Sequence, residues 1–295
     1  MAEPEPTWPD AAFTAGTTEE VFELRSWWLE SGTERIHYHD AGEGTPVVLL
    51  HGSAVGVSAA ANWWLNIPVI ADYARVVAPD LLGYGWTEYG RGCELGLTAW
   101  VEQVVRVLDG LGIGQAVLVG NSLGGRIALQ TALDHPERVA GLVTMGSPGP
   151  GHRRTEVVKR HVAPSFSREG IRSVMEDMVV DPAVVSDALV DFRYRLATRP
   201  GGPQQWVDAV TARDAAAAVA VTEEALAKVE LPALILHGRQ DRVVGPENAA
   251  ALAAGLPQAD LAVLNRCGHW AQIERRDFFD ELLRAFVTQV GRTAG

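Results

Sequence analysis

The segment Val117-Leu-Val-Gly-Asn-Ser-Leu-Gly-Gly125 decides the fold of this 295-residue chain. Its apolar beginning predicts a strand, and the apolar spacing of residues 125–133 predicts a helix directly after it. Between them stands Gly-x-Ser-x-Gly, which is typical of a sharp strand-to-helix turn that exposes a serine hydroxyl. Such a turn strains the backbone and requires small neighbours, which the three glycines of the segment provide. The segment therefore predicts that Ser122 is a nucleophile.

The composition predicts an ordinary globular protein, with 47% hydrophobic residues and a formal net charge of −12. This charge, with only short Lys/Arg pairs, argues against nucleic acid or an anionic membrane as a partner. Two cysteines, Cys93 and Cys267, are too few for a disulfide framework and fit a reducing compartment. The sequence shows no signal-peptide pattern and no apolar run of about 18 residues. We therefore expect a cytoplasmic protein.

Strand-like apolar runs alternate with helical patterns on both sides of the serine segment. Two β-prone segments at residues 21–30 and 34–39 predict a hairpin. Further strands are predicted at 46–50, 75–80, 139–145, 233–237 and 260–264, and helices at 97–111, 214–228 and 278–290. This alternation predicts βαβ units and an α/β fold with a mostly parallel sheet.

The alternation of strands and helices is interrupted once, which divides the chain into regions. Residues 151–211 have helical patterns but no strand-like run, and this predicts an inserted helical lid. The core is then formed by residues 19–150 and 212–295. Residues 1–18 are rich in Pro, Glu and Thr and are expected to form a flexible N-terminal arm.

A serine nucleophile needs a base within hydrogen-bond reach and a third group that orients the base. In a strand–turn–helix serine site, the acid follows the serine in the chain and the histidine comes last. Asp241 and His269 meet this order, and each follows a predicted strand, where active sites of parallel sheets lie. His237 lies within a strand end and is interpreted as structural, whereas Asp80 precedes Ser122. We predict a triad of Ser122, Asp241 and His269.

Attack on a carbonyl carbon places negative charge on its oxygen, which backbone N–H groups can stabilise. Leu123 directly follows the predicted nucleophile and is one expected donor. The second is expected from the loop His51-Gly-Ser-Ala, with Ser53 as the candidate. The alternative interpretation of this loop is a simple tight turn.

Three residues of the second hairpin strand, His37, His39 and Asp40, suggest a metal site because alternate residues share one face of a strand. No further His or Cys pair with ligand spacing follows. We therefore predict no metal ligand and no cofactor.

Five segments of the chain resemble the meta-cleavage product hydrolases, a family of the α/β-hydrolase superfamily. The family cuts a carbon–carbon bond in vinylogous 1,5-diketones from aromatic ring cleavage. The resemblance covers nearly the whole core and is weakest across the lid. It implies an α/β-hydrolase fold with a mostly parallel central sheet and an inserted helical lid. The segments are His51-Gly-Ser, Asn62 to Asn66, Gly120-Asn-Ser-Leu-Gly-Gly125, His237-Gly-Arg-Gln-Asp241 and Arg266-Cys-Gly-His-Trp-Ala-Gln-Ile-Glu274.

The resemblance also implies roles for individual residues. The family's catalytic serine, aspartate and histidine fall on the three residues of the predicted triad. The arginine that binds the substrate carboxylate falls on Arg193, with Arg195 and Arg199 as nearby alternatives. The implied substrate-binding residues are Asn62 and Asn121 around the dienoate head, Arg193 at its carboxylate and Trp270 on the pocket wall.

One departure from the family lies in the loop after residue 50. The family usually has His-Gly-x-Gly-Pro-Gly there, whereas this chain has Ala54 and Val55 in place of Gly-Pro. These side chains restrict the backbone and are expected to intrude on the pocket, which would change the substrate or the reaction.

The sequence thus predicts a cofactor-free serine hydrolase that acts on a small anionic substrate, a 2-hydroxy-6-oxohexa-2,4-dienoate. Attack by Ser122 and attack by a water that it activates remain alternatives. A carboxylesterase, lactonase or thioesterase is the competing enzyme class, because the same triad serves all of them. A small-molecule receptor on the same fold is the non-enzymatic alternative. A homo-oligomer is compatible with the sequence.

Overall fold

The computed structural model describes residues 4–5, 24–90, 93–153, 155–161, 165–218 and 221–293. Within these ranges one nine-stranded sheet forms the centre of the molecule. Its strands are β1 (Pro4–Glu5), β2 (Ser26–Ser31), β3 (Glu34–Ala41), β4 (Pro46–Leu50), β5 (Arg75–Pro79), β6 (Ala116–Asn121), β7 (Val139–Met145), β8 (Ala233–Gly238) and β9 (Ala259–Leu264).

The strand order across the sheet is β1-β2-β3-β5-β4-β6-β7-β8-β9. The first four strands in this order pair antiparallel, and every pair from β5 to β9 is parallel. Strand β4 lies between β5 and β6, so the chain continues first to one side of β4 and then to the other. Loops at the carboxyl ends of strands leave a crevice at such a reversal. The predicted α/β fold with a mostly parallel sheet is confirmed.

Twelve α-helices are present in the described residues. They are α1 (Ala59–Trp63), α2 (Ile67–Ala71), α3 (Leu97–Gly110), α4 (Leu123–Asp134), α5 (Glu156–His161), α6 (Arg168–Glu176), α7 (Asp187–Thr198), α8 (Gly202–Ala218), α9 (Glu223–Leu226), α10 (Glu247–Gly255), α11 (Ala271–Glu274) and α12 (Arg276–Thr293). Short 3-10 turns occur at Pro136–Arg138 and Pro182–Val184. No helix among these residues is long and apolar enough to cross a membrane.

Both faces of the sheet are covered, and strand β4 shows why its sequence is a continuous apolar run. Val48 and Leu50 belong to one buried cluster, whereas Val47 and Leu49 belong to a second cluster on the other face. Alternate residues of a strand point to opposite faces, so a doubly covered strand must be apolar at every position. Strands β2 and β3 form a hairpin within the antiparallel part of the sheet, and Ser31 pairs with Glu34 next to its turn.

Two predicted boundaries need adjustment. Residue 211, where the lid was predicted to end, lies inside helix α8, so the helical insertion continues to Ala218 at least. The predicted helix at 214–228 is not one helix: its first part is the end of α8, its last part contains α9, and residues 219–220 lie outside the described residues. Of the predicted N-terminal arm, residues 4–5 pair with β2, and the rest of residues 1–18 lies outside the described residues.

Candidate active site

Ser122 occupies the turn between β6 and α4 in a backbone conformation that is rare for a side-chain-bearing residue. Its φ and ψ angles are 55° and −114°. Its N–H donates to the carbonyl of Met145 at 2.8 Å, which ties the turn to the neighbouring strand. A Cβ atom at Gly120, Gly124 or Gly125 would collide with atoms packed around the turn. The glycines therefore allow the strained turn that the sequence predicted.

Asp241 and His269 meet at the carboxyl ends of β8 and β9. The Nδ1 atom of His269 lies 2.7 Å from Oδ2 of Asp241, and both side chains are buried. Because an ionised carboxylate only accepts hydrogen bonds, Nδ1 carries the proton and Nε2 is left as the basic nitrogen. This is the arrangement that a general base needs.

The carboxylate of Asp241 is held in its ionised form. Burial by itself raises a carboxyl pKa, but the attraction of His269 and the hydrogen bonds from His237 and His269 outweigh it, so the pKa of Asp241 lies well below its usual range. The second oxygen, Oδ1, accepts the N–H groups of Val243 at 2.8 Å and Val244 at 3.0 Å. His237 Nε2 lies 2.8 Å from the carbonyl oxygen of Val244 and 3.2 Å from Asp241, so this histidine supports the aspartate loop.

The loop that carries His269 is bound to a segment of the inserted region. The His269 N–H donates to the carbonyl of Met178 at 2.6 Å. The carboxylate of Glu274 accepts the N–H of Gly268 at 2.6 Å and that of Val180 at 2.6 Å. Glu274 ends one of the segments that resemble the family, but its partner at residue 180 is distant in the chain, so no local pattern indicates this role.

Ser53 and Leu123 line the same cavity as Ser122. Leu123 is the first residue of α4, where backbone N–H groups have no partner within the helix. Ser53 lies in the loop after β4, and its Oγ accepts a hydrogen bond from the hydroxyl of Tyr84 at 2.7 Å. The partnership with Tyr84 was not predicted, because nothing in the local sequence indicates it.

Ser122 and His269 open into one cavity with about 700 Å³ of empty space, its solvent-open mouth included. The strand-end loops and the inserted helices line it from two sides. From the core come Ser53, Ser122, Leu123, Val243, Val244 and His269. From the inserted region come His152, Val158, His161, Met178, Arg213 and Ala216.

Arg193 is almost completely buried, with an exposed fraction of 1%. None of its three guanidinium nitrogens has a hydrogen-bond partner within the described part of the chain. Its Cζ atom lies 4.9 Å from the ring centroid of Trp270, the residue after His269. Burial lowers the pKa of the guanidinium to about 9. A buried cation of this kind is a strong site for an anion.

The two alternative arginines, Arg195 on the same helix and Arg199 directly after its end, are placed differently. Arg195 is exposed. Arg199 donates to the carbonyl of Gly85 and, at 2.7 Å, to Oε1 of Gln205. Of the three, Arg193 is the one that is buried and has no acceptor in the described ranges.

The two predicted asparagines differ in their surroundings. Asn62 is buried on α1, and its Nδ2 has no hydrogen-bond partner in the part of the chain that the structure describes. Asn121 is also buried, but its Nδ2 lies 3.4 Å from the carbonyl oxygens of both Met145 and His269. Asn121 therefore links the end of β6 to the histidine loop.

Ala54 and Val55 do not intrude on the cavity, contrary to the expectation from the sequence. They are buried to 5% and 1% exposure and belong to a core cluster, and neither lines the cavity of Ser122. The two side chains that differ from the family pattern therefore pack into the core and do not line the cavity.

The three residues considered for a metal have other partners. His37 Nδ1 lies 2.8 Å from Asp80, and His39 Nδ1 lies 3.0 Å from the carbonyl of Arg25. Asp40 pairs with Arg75 at 2.7 Å. Across the described ranges, no group of three or more His, Cys, Asp or Glu side chains is arranged to hold a metal ion.

Comparison with known proteins gives the family. The family profile described as alpha/beta hydrolase fold matches residues 45–169 and 153–276. The 2-hydroxymuconate semialdehyde hydrolase of Pseudomonas sp. strain CF600 is 38% identical over 273 residues, which cover 88% of this chain and 93% of that protein. The 2-hydroxy-6-oxononadienedioate/2-hydroxy-6-oxononatrienedioate hydrolase of Paraburkholderia phymatum is 35% identical over 274 residues, with coverages of 88% and 94%.

A solved structure agrees with these relatives. The meta-cleavage product hydrolase CumD of Pseudomonas fluorescens IP01 superposes with a TM-score of 0.84 at 35% identity and covers 89% of this chain and 97% of its own. The strand order, the serine turn and the Asp–His pair described above are those expected from this fold. The chain therefore belongs to the meta-cleavage product hydrolases, enzymes with the α/β-hydrolase fold.

Proposed function

We propose that this enzyme hydrolyses the C5–C6 bond of a 2-hydroxy-6-oxohexa-2,4-dienoate formed by aromatic ring cleavage. The observation that carries the proposal is Arg193, a buried guanidinium beside Trp270 that has no acceptor among the described residues. An anionic substrate head needs such a cation, and a simple ester does not. The relatives named above act on compounds of this class.

In the proposed reaction the dienol first becomes a ketone, which places a proton on C5. The Nε2 atom of His269 then takes a proton from Ser122, or from a water beside it, as the oxygen attacks C6. The N–H groups of Leu123 and Ser53 are the proposed donors to the oxyanion on C6. The C5–C6 bond breaks, and its electron pair passes through C4 and C3 to the oxygen on C2, which takes the proton held by His269 to give 2-hydroxypenta-2,4-dienoate. If Ser122 attacked, a water that His269 deprotonates then displaces Ser122 from C6 and the carboxylic acid leaves; if water attacked, C6 already carries the OH of the acid.

The proposal assigns the dienoate head to Arg193, Asn62 and Trp270. Arg193 would grip the carboxylate with two parallel hydrogen bonds. Asn62 has a buried Nδ2 free to donate to an oxygen of the head. Asn121 contacts two backbone carbonyls, so we assign it the positioning of the histidine loop next to the same head.

Hydrolysis of an ester, lactone or thioester remains chemically open to the same three residues. The sequence feature that favoured it was the loop with Ala54 and Val55. Because both side chains pack into the core, this loop no longer favours ester hydrolysis.

The two free cysteines, Cys93 and Cys267, fit a cytoplasmic location, and we include this location in the proposal.

The experiment that tests the proposal offers a coloured ring-fission dienol and a p-nitrophenyl ester to the purified enzyme. We expect a kcat/KM for the dienol at least about a hundredfold above that for the ester, since only the dienol uses Arg193. The Ser122→Ala variant serves as the control for site-specific turnover of both compounds. A higher kcat/KM for the ester would overturn the proposal in favour of the esterase alternative.

A further inference from the structure

Basic side chains are concentrated in the cavity of Ser122 and His269, at a place separate from Arg193. Arg126, His152, His161 and Arg213 line this cavity, and no Asp or Glu does within the described part of the chain. The dienoate head does not explain this charge, because Arg193 and Trp270 are not among the lining residues. A second charged part of the substrate would explain it.

Arg126 is the main contributor to this basic character. It lies four residues after Ser122 in the first turn of α4, and its N–H donates to the Ser122 carbonyl at 3.1 Å. Its side chain lines the cavity together with that of Ser122. The residue is 5% exposed, so its charge is largely removed from bulk water.

The guanidinium of Arg126 lacks a carboxylate at ion-pair distance among the described residues. Its Nη1 donates to the neutral amide oxygen of Gln130 at 2.8 Å. Burial lowers the pKa of Arg126, and only the more distant charge of Asp134 opposes this effect. A positive charge of this kind attracts an anion that enters the cavity.

Arg213 faces the cavity from the inserted region. Its Nε and Nη2 lie 3.1 Å and 2.8 Å from Oδ1 of Asp214, so its charge is partly compensated. The side chain remains 13% exposed. The core arginine and the lid arginine thus line the same cavity as the nucleophile, and a ligand carboxylate can meet them there.

We propose that the C6 substituent of the substrate ends in a carboxylate that binds to Arg126, assisted by Arg213. The inference rests on the proposed function, in which C6 is the carbon attacked next to Ser122. Its substituent must then extend into the cavity that Ser122 and His269 line, while the dienoate head extends towards Arg193. The preferred substrate class is a dienedioate with one arginine site at each end.

Two compounds of nearly equal size test this inference. In 2-hydroxy-6-oxonona-2,4-dienedioate, C6 carries a 2-carboxyethyl group, and in 2-hydroxy-6-oxonona-2,4-dienoate it carries a propyl group. We expect kcat/KM to favour the dioate by about tenfold or more, because only the dioate can form a charge-assisted pair with the arginines of the cavity. Equal values, or a preference for the propyl compound, would overturn the inference.

Variants then test whether Arg126 causes the preference for the dioate. Arg126→Gln should reduce kcat/KM for the dioate at least about tenfold more than for the propyl compound. Arg126→Lys keeps the charge and should recover part of the loss. Arg284→Gln, on α12 over the ring of Tyr73, is the control and should change neither value. Equal losses on both compounds in Arg126→Gln would contradict the inference.

A separate measurement distinguishes this inference from the proposed function. The acids released from C6 are succinate and butyrate, so both can be tested as inhibitors of p-nitrophenyl ester cleavage. Stronger inhibition by succinate, lost in Arg126→Gln, supports the second anion site even if neither dienoate is cleaved. In that case the proposed function fails and the site stands. Equal inhibition by the two acids overturns the site.

Discussion

Gly56 and Arg193 pack backbone against backbone, which joins the loop after β4 to helix α7. Gly56 has a φ angle of +65°, and a Cβ atom at this position would collide with the carbonyl group of Arg193. The loop that carries Ser53 and the helix that carries Arg193 are therefore held at a fixed spacing. This contact therefore fixes the position of the proposed oxyanion donor, Ser53, relative to the proposed carboxylate site at Arg193.

The first prediction follows from this contact. Gly56→Ala should raise KM for a dienoate about tenfold, because the added methyl group pushes the Arg193 backbone away. Gly32→Ala is the matched control, since Gly32 has a φ angle of +62° and no atom within 4 Å of an added Cβ. Both variants bear the strain of a left-handed backbone, about 1–2 kcal/mol. An unchanged KM in Gly56→Ala would show that this contact does not affect substrate binding.

The second prediction concerns the charge of Arg193 itself. Arg193→Gln should lower kcat/KM for a dienoate tens- to thousands-fold, since losing one partner of a buried charge pair costs about 2–5 kcal/mol. Cleavage of a neutral ester should be largely spared, because an ester has no carboxylate to hold. Arg195→Gln, on the exposed side of the same helix, is the control. Equal losses on both substrates would instead indicate a defect in folding or in the lid.

The sheet could be predicted, and the triad of Ser122, Asp241 and His269 could be proposed, because their signals are local in the sequence. The glycine pattern around Ser122 and the apolar runs before Asp241 and His269 each lie within about ten residues. The sequence also indicated Arg193, through its family resemblance, but left Arg195 and Arg199 as alternatives. Only burial and partner contacts separate these three, and both depend on the packing of α7 against the core.

The end of the lid was predicted too early, at residue 211, and the basic side chains of the cavity were not predicted, both for physical reasons. Pro203 lies at the second residue of α8, where a proline costs little because the first helical N–H groups have no partner. The Ala-rich sequence then continues the helix past residue 211. Arg126 and Arg213 are 87 positions apart, and their approach to one cavity is a tertiary effect.

The third prediction tests the hydrogen bond between Asp241 and His269. Asp241→Asn should lower kcat about 10³- to 10⁴-fold, because the asparagine NH₂ group can donate to Nδ1 and stabilise the wrong tautomer of His269. Substrate should still bind, which single-turnover mixing with a coloured dienol can measure. Asp260→Asn, at an exposed position of β9, is the control and should keep normal kcat. A kcat within tenfold of the parent in Asp241→Asn would contradict the proposed role.

Asp280 on α12 is a buried carboxyl group outside the triad. Its Oδ1 accepts a hydrogen bond from Nδ2 of Asn66 at 3.0 Å. Burial raises the pKa of Asp280 to about 6, and the hydrogen bond from Asn66 only partly opposes this. The ionised form is therefore less favourable in the folded protein than in the unfolded chain.

The last prediction gives the pH dependence that this carboxyl group produces. An unfolded aspartate ionises near pH 3.9, so between about pH 4 and 6 the unfolded state loses its proton first and Asp280 lowers the free energy of unfolding as pH rises. Asp280→Asn removes this effect while its amide oxygen keeps the bond from Asn66. Urea unfolding should show a gain of about 1 kcal/mol at pH 7, reduced by solvent screening, and almost none at pH 4. Asp260 is exposed on β9 and far from α12 in the sequence, and Asp260→Asn should show no such difference. An equal gain at both pH values would mean that packing, and not ionisation, sets the effect.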